Sequence, residues 1–336
     1  MTHPALQLTV AALAASCLLP ASAQSRLPDT QLPFARAQQL VDIGGGRRLH
    51  LYCSGKGPIT VVFDAHAGGA GSSWFAVQPH VAKRTRACVY DRAGFGFSDA
   101  ATRPNTLGNA VEDLHKLLGA AGIAPPFVLV GSSYGGANAQ LYAYRYPGEV
   151  KGMVLVEPQH EDDMARQNKV SGGKIGQLLA MNTDMIRACH DQSKKGFVAG
   201  SELRSQCLGG VGGAGAALKK SDIALRAQHK YWQANLSEYA GFDVGTAELR
   251  AARKPFGDLP VIVLSRSISP FAIPGQPQSA LNRAVEAENQ AILRETAALS
   301  SAGQLRKIAG AGHVVHEEKP MAVVQAIEEV LAMLTK

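Results

Sequence analysis

The turn at residues 131–135 carries the side chain best suited to nucleophilic chemistry. It reads Gly-Ser-Ser-Tyr-Gly, between an apolar run at 126–130 that is typical of a buried strand and a segment at 137–146 with helical character. A strand that turns directly into a helix strains the middle residue and requires small residues beside it. The free N–H groups of the helix N-terminus suit a developing negative charge. The pattern therefore makes Ser133 the candidate nucleophile.

A serine hydroxyl needs a base to take its proton, and histidine is the usual base because its pKa lies near neutrality. Of the ten histidines, His313 follows a Gly-Ala-Gly loop after the last predicted strand. Catalytic groups gather at this carboxyl edge of open α/β sheets. His316 is the local alternative, in the approach to the final helix. We expect His313 to be the base.

The elements that must position these residues alternate between strand and helix, which predicts a parallel α/β sheet. Apolar spacing predicts strands at 39–43, 47–53, 59–64, 87–91, 126–130, 152–157, 259–264 and 304–308, and helices at 74–83, 107–118, 137–146, 278–299 and 320–334.

The alternation stops between residues 158 and 255. This stretch is mostly polar with helical spacing, contains a glycine-rich patch at 209–215, and shows no strong strand. We interpret 158–255 as a helical lid inserted between two parts of one core domain, 24–157 and 256–336.

The N-terminus has the pattern of a secretory signal. Residues 10–19 are apolar or small, and Ala21-Ser22-Ala23 supplies a small-residue cleavage site. We expect residues 1–23 to be removed after Ala23 and the protein to be periplasmic or secreted. The apolar run is too short to span a membrane, and no later run is long enough.

The composition is that of a globular protein: 336 residues, 46% hydrophobic, with a net charge of +7. The basic residues are scattered, so nucleic-acid binding is not expected. His160-Glu161-Asp162-Asp163 are adjacent rather than at metal-ligand spacing. We expect no metal and no cofactor, and the sequence predicts no oligomeric state.

Four segments together resemble the α/β-hydrolase family. They are 63–69 (Phe-Asp-Ala-His-Ala-Gly-Gly), 90–99 (Tyr-Asp-Arg-Ala-Gly-Phe-Gly-Phe-Ser-Asp), the 131–135 turn, and Gly-His at 312–313. Their order along the chain is more specific than any one of them, and the likeness runs from about residue 41 to the C-terminus. The resemblance implies a mostly parallel eight-stranded sheet with nucleophile, acid and base in that chain order.

In this family two backbone N–H groups hold the oxyanion. The resemblance assigns these donors to Tyr134, which follows the nucleophile, and to Ala67, after the third strand. Relatives often have glycine where His66 stands. The resemblance further implies that Asp91 and Arg92 brace the turn after the fourth strand rather than react.

The acid departs from the usual family pattern. Members usually carry an aspartate just after the seventh strand, yet no carboxylate occurs from 259 to 285. Some relatives place the acid after the sixth strand, where Glu157 stands. A carboxylate there can orient the imidazole and stabilise its cation. We expect Glu157 to be the acid, with Asp162 and Asp163 as the alternatives.

Four cysteines remain after the expected signal: Cys53, Cys88, Cys189 and Cys207. An even number in an oxidising compartment indicates two disulfides, and the residues alone leave three pairings open. The resemblance places the second and fourth strands side by side, which implies a Cys53–Cys88 pair. Cys189 and Cys207 would then close a short loop within the lid.

The sequence thus predicts an exported serine hydrolase that cleaves a small-molecule carboxylic ester, or a lactone or amide, through an acyl-enzyme. Dehalogenases and epoxide hydrolases of this family use an aspartate nucleophile, so Ser133 argues against both. An acyltransferase or a cofactor-free perhydrolase would use the same residues. A non-catalytic binding protein on this scaffold is the remaining alternative.

Overall fold

The computed structural model describes residues 30–209, 212–273 and 275–335, and within these ranges the strands form a single eight-stranded sheet. The order across the sheet is β1-β2-β4-β3-β5-β6-β7-β8. Strand β2 runs antiparallel to both of its neighbours, β1 and β4, and all the other pairs are parallel. The predicted, mostly parallel sheet is therefore confirmed. The strands are β1 (Gln39–Asp42), β2 (Arg48–Ser54), β3 (Thr60–Asp64), β4 (Arg86–Tyr90), β5 (Phe127–Ser132), β6 (Val150–Val156), β7 (Val261–Ser265) and β8 (Gly303–Lys307).

Apolar clusters cover both faces of the sheet, as a parallel sheet requires. All five residues of β3 are buried. Along this strand Val61 and Phe63 join one cluster while Val62 joins the other, because successive side chains of a strand point to opposite faces. The same alternation puts Val130 and Leu129 of β5 into opposite clusters. The central strands are consequently rigid supports for whatever follows them.

The described ranges contain twelve α-helices. They are α1 (Gln78–Val81), α2 (Leu107–Ala120), α3 (Tyr134–Arg145), α4 (Asp163–Val170), α5 (Lys174–Ser193), α6 (Glu202–Cys207), α7 (Ala216–Arg226), α8 (His229–Ala240), α9 (Phe242–Ala252), α10 (Ala280–Ala297), α11 (Val315–Glu318) and α12 (Pro320–Met333).

The helix predicted over 74–83 was wrong in extent. The structure has a 3₁₀ turn at Gly71–Trp74 and only the four-residue α1 after it. Pro79 is the reason, because it has no N–H to donate back into a preceding turn and is tolerated only at the start of a helix. The helix therefore begins at Gln78.

The stretch between β6 and β7 contains six helices, α4 to α9, and in its described part no strand. Helix α8 packs on α5, and α9 packs on α2 and α3 of the sheet layer. Among the residues described, no helix has both the length and the apolar character needed to cross a membrane. The predicted signal at 1–23 lies outside the described residues.

Two disulfides are present, in the pairing that the resemblance implied. Cys53 and Cys88 are direct partners in the β2–β4 register and are bonded to each other. Cys189 of α5 is bonded to Cys207 at the end of α6. Both members of this second pair lie in a separate apolar cluster with Trp232 of α8. This disulfide therefore ties together helices that lie between β6 and β7.

Candidate active site

Ser133 occupies the whole connection between β5 and α3, since the strand ends at residue 132 and the helix begins at residue 134. Its φ is +52° and its ψ is −115°, a conformation that non-glycine residues rarely adopt. Its N–H donates to the carbonyl oxygen of Val156 on β6 at 3.0 Å, and its own carbonyl accepts from the N–H of Gln159 at 3.0 Å. Contacts to the neighbouring strand end thus hold the strained serine at the sheet edge.

The glycines on either side of Ser133 are required by close backbone approaches. A Cβ on Gly131 would lie 2.1 Å from the carbonyl oxygen of Gly135. A Cβ on Gly135 would lie 2.4 Å from the carbonyl oxygen of Asp64, at the end of β3. Both distances are far below any contact that a methyl group can make, so the turn closes only with glycine at these positions.

Two backbone donors beside Ser133 have no acceptor within the described ranges. Tyr134 is the first residue of α3, where an N–H has no partner inside the helix, and Ala67 lies in the loop after β3. Neither N–H donates a hydrogen bond to any described residue. Since Asp64 pairs with Gly131 across β3 and β5, this loop starts beside the turn. The two donors are therefore available to an oxyanion on that side of Ser133.

Arg92 fixes the loop that carries Ala67. Its guanidinium donates to the Asp64 carboxylate at 2.6 Å and to the His66 carbonyl at 2.9 Å. Its Nε donates to Glu238 of α8 at 2.7 Å, and the other oxygen of Glu238 accepts from the Gly68 N–H at 2.8 Å. Arg92 thus has the structural role that was expected, but it braces the loop after β3 rather than the turn after β4. Glu238 lies 146 residues farther along the chain and was not predicted from the sequence.

Glu157 follows β6 directly and is only 3% exposed. Its Oε1 accepts from the Arg266 backbone N–H at 2.7 Å and from Asn289 Nδ2 at 3.2 Å. Its Oε2 accepts from Arg266 Nη1 at 2.8 Å and lies 3.4 Å from His313 Nδ1, in a long hydrogen bond. The structure therefore brings the candidate acid and the candidate base together.

Burial on its own would raise the pKa of Glu157, but the hydrogen bond to His313 and the positive charge of Arg266 outweigh it and lower that pKa below its usual value. Arg266 also forms an ion pair with Glu286 at 3.0 Å. Burial opposes the charge of Arg266, yet these two carboxylates raise its pKa. The group at the end of β6 is consequently a carboxylate at neutral pH.

Arg266 was missed by the sequence analysis, although a signal for it existed. It stands just after β7, where related proteins usually have the acid, and β7 is the direct neighbour of β6. Where the acid has moved from the end of β7 to the end of β6, a basic residue at the end of β7 can pair with it across the two neighbouring strands. Arg266 orients Glu157 and keeps it ionised, so we regard it as a positioning residue.

His313 lies on the loop after β8, with its side chain 48% exposed. The Gly310 N–H donates to Ser267 Oγ at 2.8 Å, and the Gly312 N–H donates to Glu318 at 2.7 Å, so the loop is fixed on both sides. Donation from Nδ1 to the carboxylate leaves Nε2 to accept a proton. The structure described here has no hydrogen bond between the His313 ring and the Ser133 hydroxyl.

The alternative acids are engaged elsewhere. Asp162 pairs with Arg250 at 2.7 Å, and Asp163 accepts a hydrogen bond from Gln167. Neither forms a hydrogen bond or ion pair with His313 among the contacts of the described residues. The hydrogen bond from Arg250 lowers the pKa of Asp162, whereas burial raises the pKa of Asp163. Glu157 is thus the better placed of the three carboxylates.

Two other histidines lie near the site but are poor bases. His316 is completely buried, and burial lowers its pKa well below the usual value. Burial, helped by the charges of Arg226 and Arg92, lowers the pKa of His66 to about 3. Rings that resist protonation cannot take a proton efficiently near neutral pH. His313 is therefore favoured over its local alternative, His316.

Comparisons with known proteins point to one fold. The family profile described as the alpha/beta hydrolase fold matches residues 61–177. A 2-hydroxy-6-oxo-2,4-heptadienoate hydrolase of Pseudomonas putida is 32% identical over 124 residues, which cover 34% of this chain and 42% of that protein. The chain thus spans less than half the length of this curated relative.

Solved structures cover far more of the chain. An esterase from Thermogutta terrifontis is 17% identical and matches with a TM-score of 0.56, over 90% of this chain and 100% of its own. The epoxide hydrolase CorEH is 16% identical with a TM-score of 0.59, over 88% of this chain and 98% of its own. At such identities the likeness shows the fold alone.

The close approach at Gly135 predicts a large effect of one methyl group. We expect Gly135→Ala to lower the free energy of unfolding by about 2–3 kcal/mol, because the Cβ would meet backbone atoms that cannot move aside. Gly119→Ala is the matched control, since nothing lies within 4 Å of its Cβ and it is in a helix. Urea unfolding measures both variants. Equal stability of the two would contradict the packing described for the turn.

The pairing of Arg266 with Glu157 predicts a pH-dependent cost. Ionised Glu157 stabilises the fold at pH values above the pKa that it has in the unfolded state. This contribution is lost as the pH falls through the lower pKa that Glu157 has in the folded state. Arg266→Met leaves the buried carboxylates of Glu157 and Glu286 without their positively charged partner, so we expect a loss of about 3–5 kcal/mol near neutral pH. The loss should shrink on acidification, because protonation of Glu157 removes the uncompensated charge.

Urea unfolding of Arg266→Met and the parent at a series of pH values measures this difference. The control is Arg84→Met, which breaks the exposed Arg84–Glu328 pair and should leave stability nearly unchanged at every pH. A cost of Arg266→Met that does not vary with pH would show that lost packing, and not the charge of Glu157, is responsible.

Proposed function

The chain has the α/β-hydrolase fold, and from the site that this fold builds we propose that it is an exported serine hydrolase. It would cleave a small carboxylic ester, or a lactone or amide, through an acyl-enzyme on Ser133. The observation that carries the proposal is the buried Glu157 carboxylate bonded to His313, at the sheet edge that holds the strained Ser133. The resemblance to a Pseudomonas putida protein named as a hydrolase supports it.

In the first half of the reaction Ser133 Oγ attacks the carbonyl carbon while His313 Nε2 accepts its proton. The carbonyl π pair moves to oxygen, and the Tyr134 and Ala67 N–H groups donate to that oxyanion. Glu157 holds the imidazole in the required tautomer and stabilises the cation that forms. The tetrahedral intermediate then expels the alcohol or amine, which takes the proton from His313 and leaves the acyl group on Ser133.

In the second half a water molecule attacks the acyl carbon as His313 takes one of its protons. Collapse of this intermediate breaks the ester bond to Ser133, returns the proton to Oγ and releases the acid. The half-exposed ring of His313 must lie within hydrogen-bond distance of Ser133 Oγ for both halves. Such hydrogen bonds are often open without substrate and form in the complex, so the open arrangement is compatible with this role.

We propose that the helices between β6 and β7 act as a lid over this site. The Tyr231 hydroxyl of α8 donates to the Gly68 carbonyl at 2.9 Å, and Glu238 of the same helix accepts from the Gly68 N–H. Helix α8 is thereby attached to the loop that supplies an oxyanion donor. Export is supported by the predicted signal and by the two disulfides, which persist in oxidising compartments.

Ser133 as nucleophile predicts selective covalent labelling. A fluorophosphonate probe should label the parent protein and not Ser133→Ala, because only this hydroxyl has the turn and the base beside it. Ser132→Ala is the matched control, because the Ser132 hydroxyl is fully buried and makes no hydrogen bond in the described structure. The Ser132→Ala protein should be labelled as the parent is. Intact labelling of Ser133→Ala by gel fluorescence would exclude the assignment. Labelling without turnover of short p-nitrophenyl esters would favour the binding protein.

Glu157 as acid predicts a large loss of turnover in Glu157→Gln. The amide cannot stabilise the imidazolium and favours the wrong tautomer, so we expect kcat to fall by about 10³–10⁴-fold with little change in KM. Asp162→Asn and Asp163→Asn serve as controls and should stay within about threefold of the parent, because neither residue orients the base. Near-normal turnover of Glu157→Gln, with loss in either control, would transfer the role to that aspartate.

A further inference from the structure

Three metal-ligating side chains meet next to the site without taking part in the proposed reaction. His66 lies in the loop after β3, and His316 and Glu317 lie on α11, just after the His313 loop. One ligand atom from each of the three lies within 4.8 Å of the others. The two imidazole centroids are 5.6 Å apart. The fold thus gathers residues that are 250 positions apart in the chain.

Three nitrogens of these two rings have no hydrogen-bond partner among the described residues. His316 is 0% exposed, and neither of its ring nitrogens has a hydrogen-bond partner in the described structure. The Nδ1 of His66 is also buried and has no hydrogen-bond partner among the described residues. Buried polar groups in proteins are nearly always satisfied, and an orphaned one costs free energy unless a water or an ion supplies the partner. A single bound ligand would supply partners for several of these nitrogens at once.

A cavity opens onto two of the three side chains, His66 and Glu317. Its volume is about 220 Å³, and its lining includes His66, Glu317, Ser72 and Val314. The space is sufficient for an ion to enter and for water molecules to complete its coordination.

The charges around the cavity also suit a cation. Arg226 lines it as well and opposes a cation there, but its Nε donates to Asp222 at 2.8 Å, and that carboxylate offsets part of its charge. Glu317 lies 3.9 Å from His316 Nε2, outside hydrogen-bond distance. The carboxylate of Glu317 therefore remains to offset the charge of an ion.

A second group of potential metal ligands differs from this one because arginines contact it. In the cluster of His160, Glu161 and Asp162, arginines occupy the ligand atoms. Arg253 lies 2.9 Å from His160 Nε2 and 2.6 Å from a Glu161 oxygen, and Arg250 pairs with Asp162. These guanidinium groups occupy most of the ligand atoms of that cluster and repel a cation. The cluster of His66, His316 and Glu317 has no such occupant among the described residues.

We propose that His66, His316 and Glu317 bind a divalent transition-metal ion, for which Zn²⁺ is the best match. Two imidazoles and one carboxylate are a common zinc ligand set, with the fourth position open to water. Zinc bonds of about 2.0–2.1 Å set tetrahedral donor atoms about 3.3 Å apart. The present separations of up to 4.8 Å must therefore shorten by about 1.5 Å when the ion binds. The expectation of no metal rested on sequence spacing, which does not show such a cluster.

A bound ion would connect two loops that matter to the proposed chemistry. His66 precedes Ala67, the expected oxyanion donor, and α11 begins two residues after His313. Coordination would fix the distance between the loops that carry the donor and the base. The metal site does not depend on the proposed hydrolase activity, since it uses none of its reacting groups.

The test is metal binding by the purified full-length or mature protein after treatment with a chelator. Titration with Zn²⁺ in a calorimeter should show one tight site, and Co²⁺ should give the visible absorption of a tetrahedral site that Zn²⁺ abolishes. Glu317→Gln and His66→Ala should each weaken Zn²⁺ binding by at least about tenfold. His80→Ala, which removes an exposed imidazole, and Ser133→Ala should bind as the parent does.

Two outcomes would overturn the proposal: absence of a stoichiometric Zn²⁺ site in the parent, or a site that both Glu317→Gln and His66→Ala leave unchanged. Circular dichroism of each variant shows that it is folded. His316→Gln adds a third ligand test but removes a buried ring, so the conclusion depends on the other two variants. Because Ser133→Ala is inactive if the proposed function is correct and still binds metal, failure of one proposal is distinguishable from failure of the other.

Discussion

The site depends on one buried charge and on how it is compensated. A carboxylate that is 3% exposed is costly unless hydrogen bonds and an opposite charge surround it. Arg266 supplies both, through its backbone N–H on one oxygen of Glu157 and its guanidinium on the other. This arrangement sets the direction in which Oε2 meets His313. Without it, burial would favour the protonated acid, which cannot stabilise an imidazolium.

The sheet places the groups of the site next to one another, because one of them follows each of four neighbouring strands. Strands β5, β6, β7 and β8 lie side by side in this order. Ser133 follows β5, Glu157 follows β6 and Arg266 follows β7, each immediately after the strand, whereas His313 stands on the loop after β8. The edge of a parallel sheet thus brings together groups that are up to 180 positions apart. Buried side chains on both faces of β5, β6 and β7 hold that edge in place.

Much of this could be predicted from the chain because the signals are local. The glycines of the Ser133 turn, the glycines before His313 and the apolar strands each show in a few consecutive residues. Arg266 was missed because its role depends on a carboxylate one strand away, and Glu238 because it approaches from a helix of the inserted stretch. The group of His66 and His316 is visible only in three dimensions. The helix at 74–83 was overextended because apolar spacing was weighed without Pro79.

The account is tested most directly by a crystal structure of the protein inactivated with a small alkyl fluorophosphonate. We expect phosphorus bonded to Ser133 Oγ, with its phosphoryl oxygen accepting from the Tyr134 and Ala67 N–H groups. The His313 ring should be turned to within about 3 Å of the serine oxygen while Nδ1 stays on Glu157. An adduct on another residue, or a His313 that remains directed away from a fully occupied Ser133 adduct, would contradict the account.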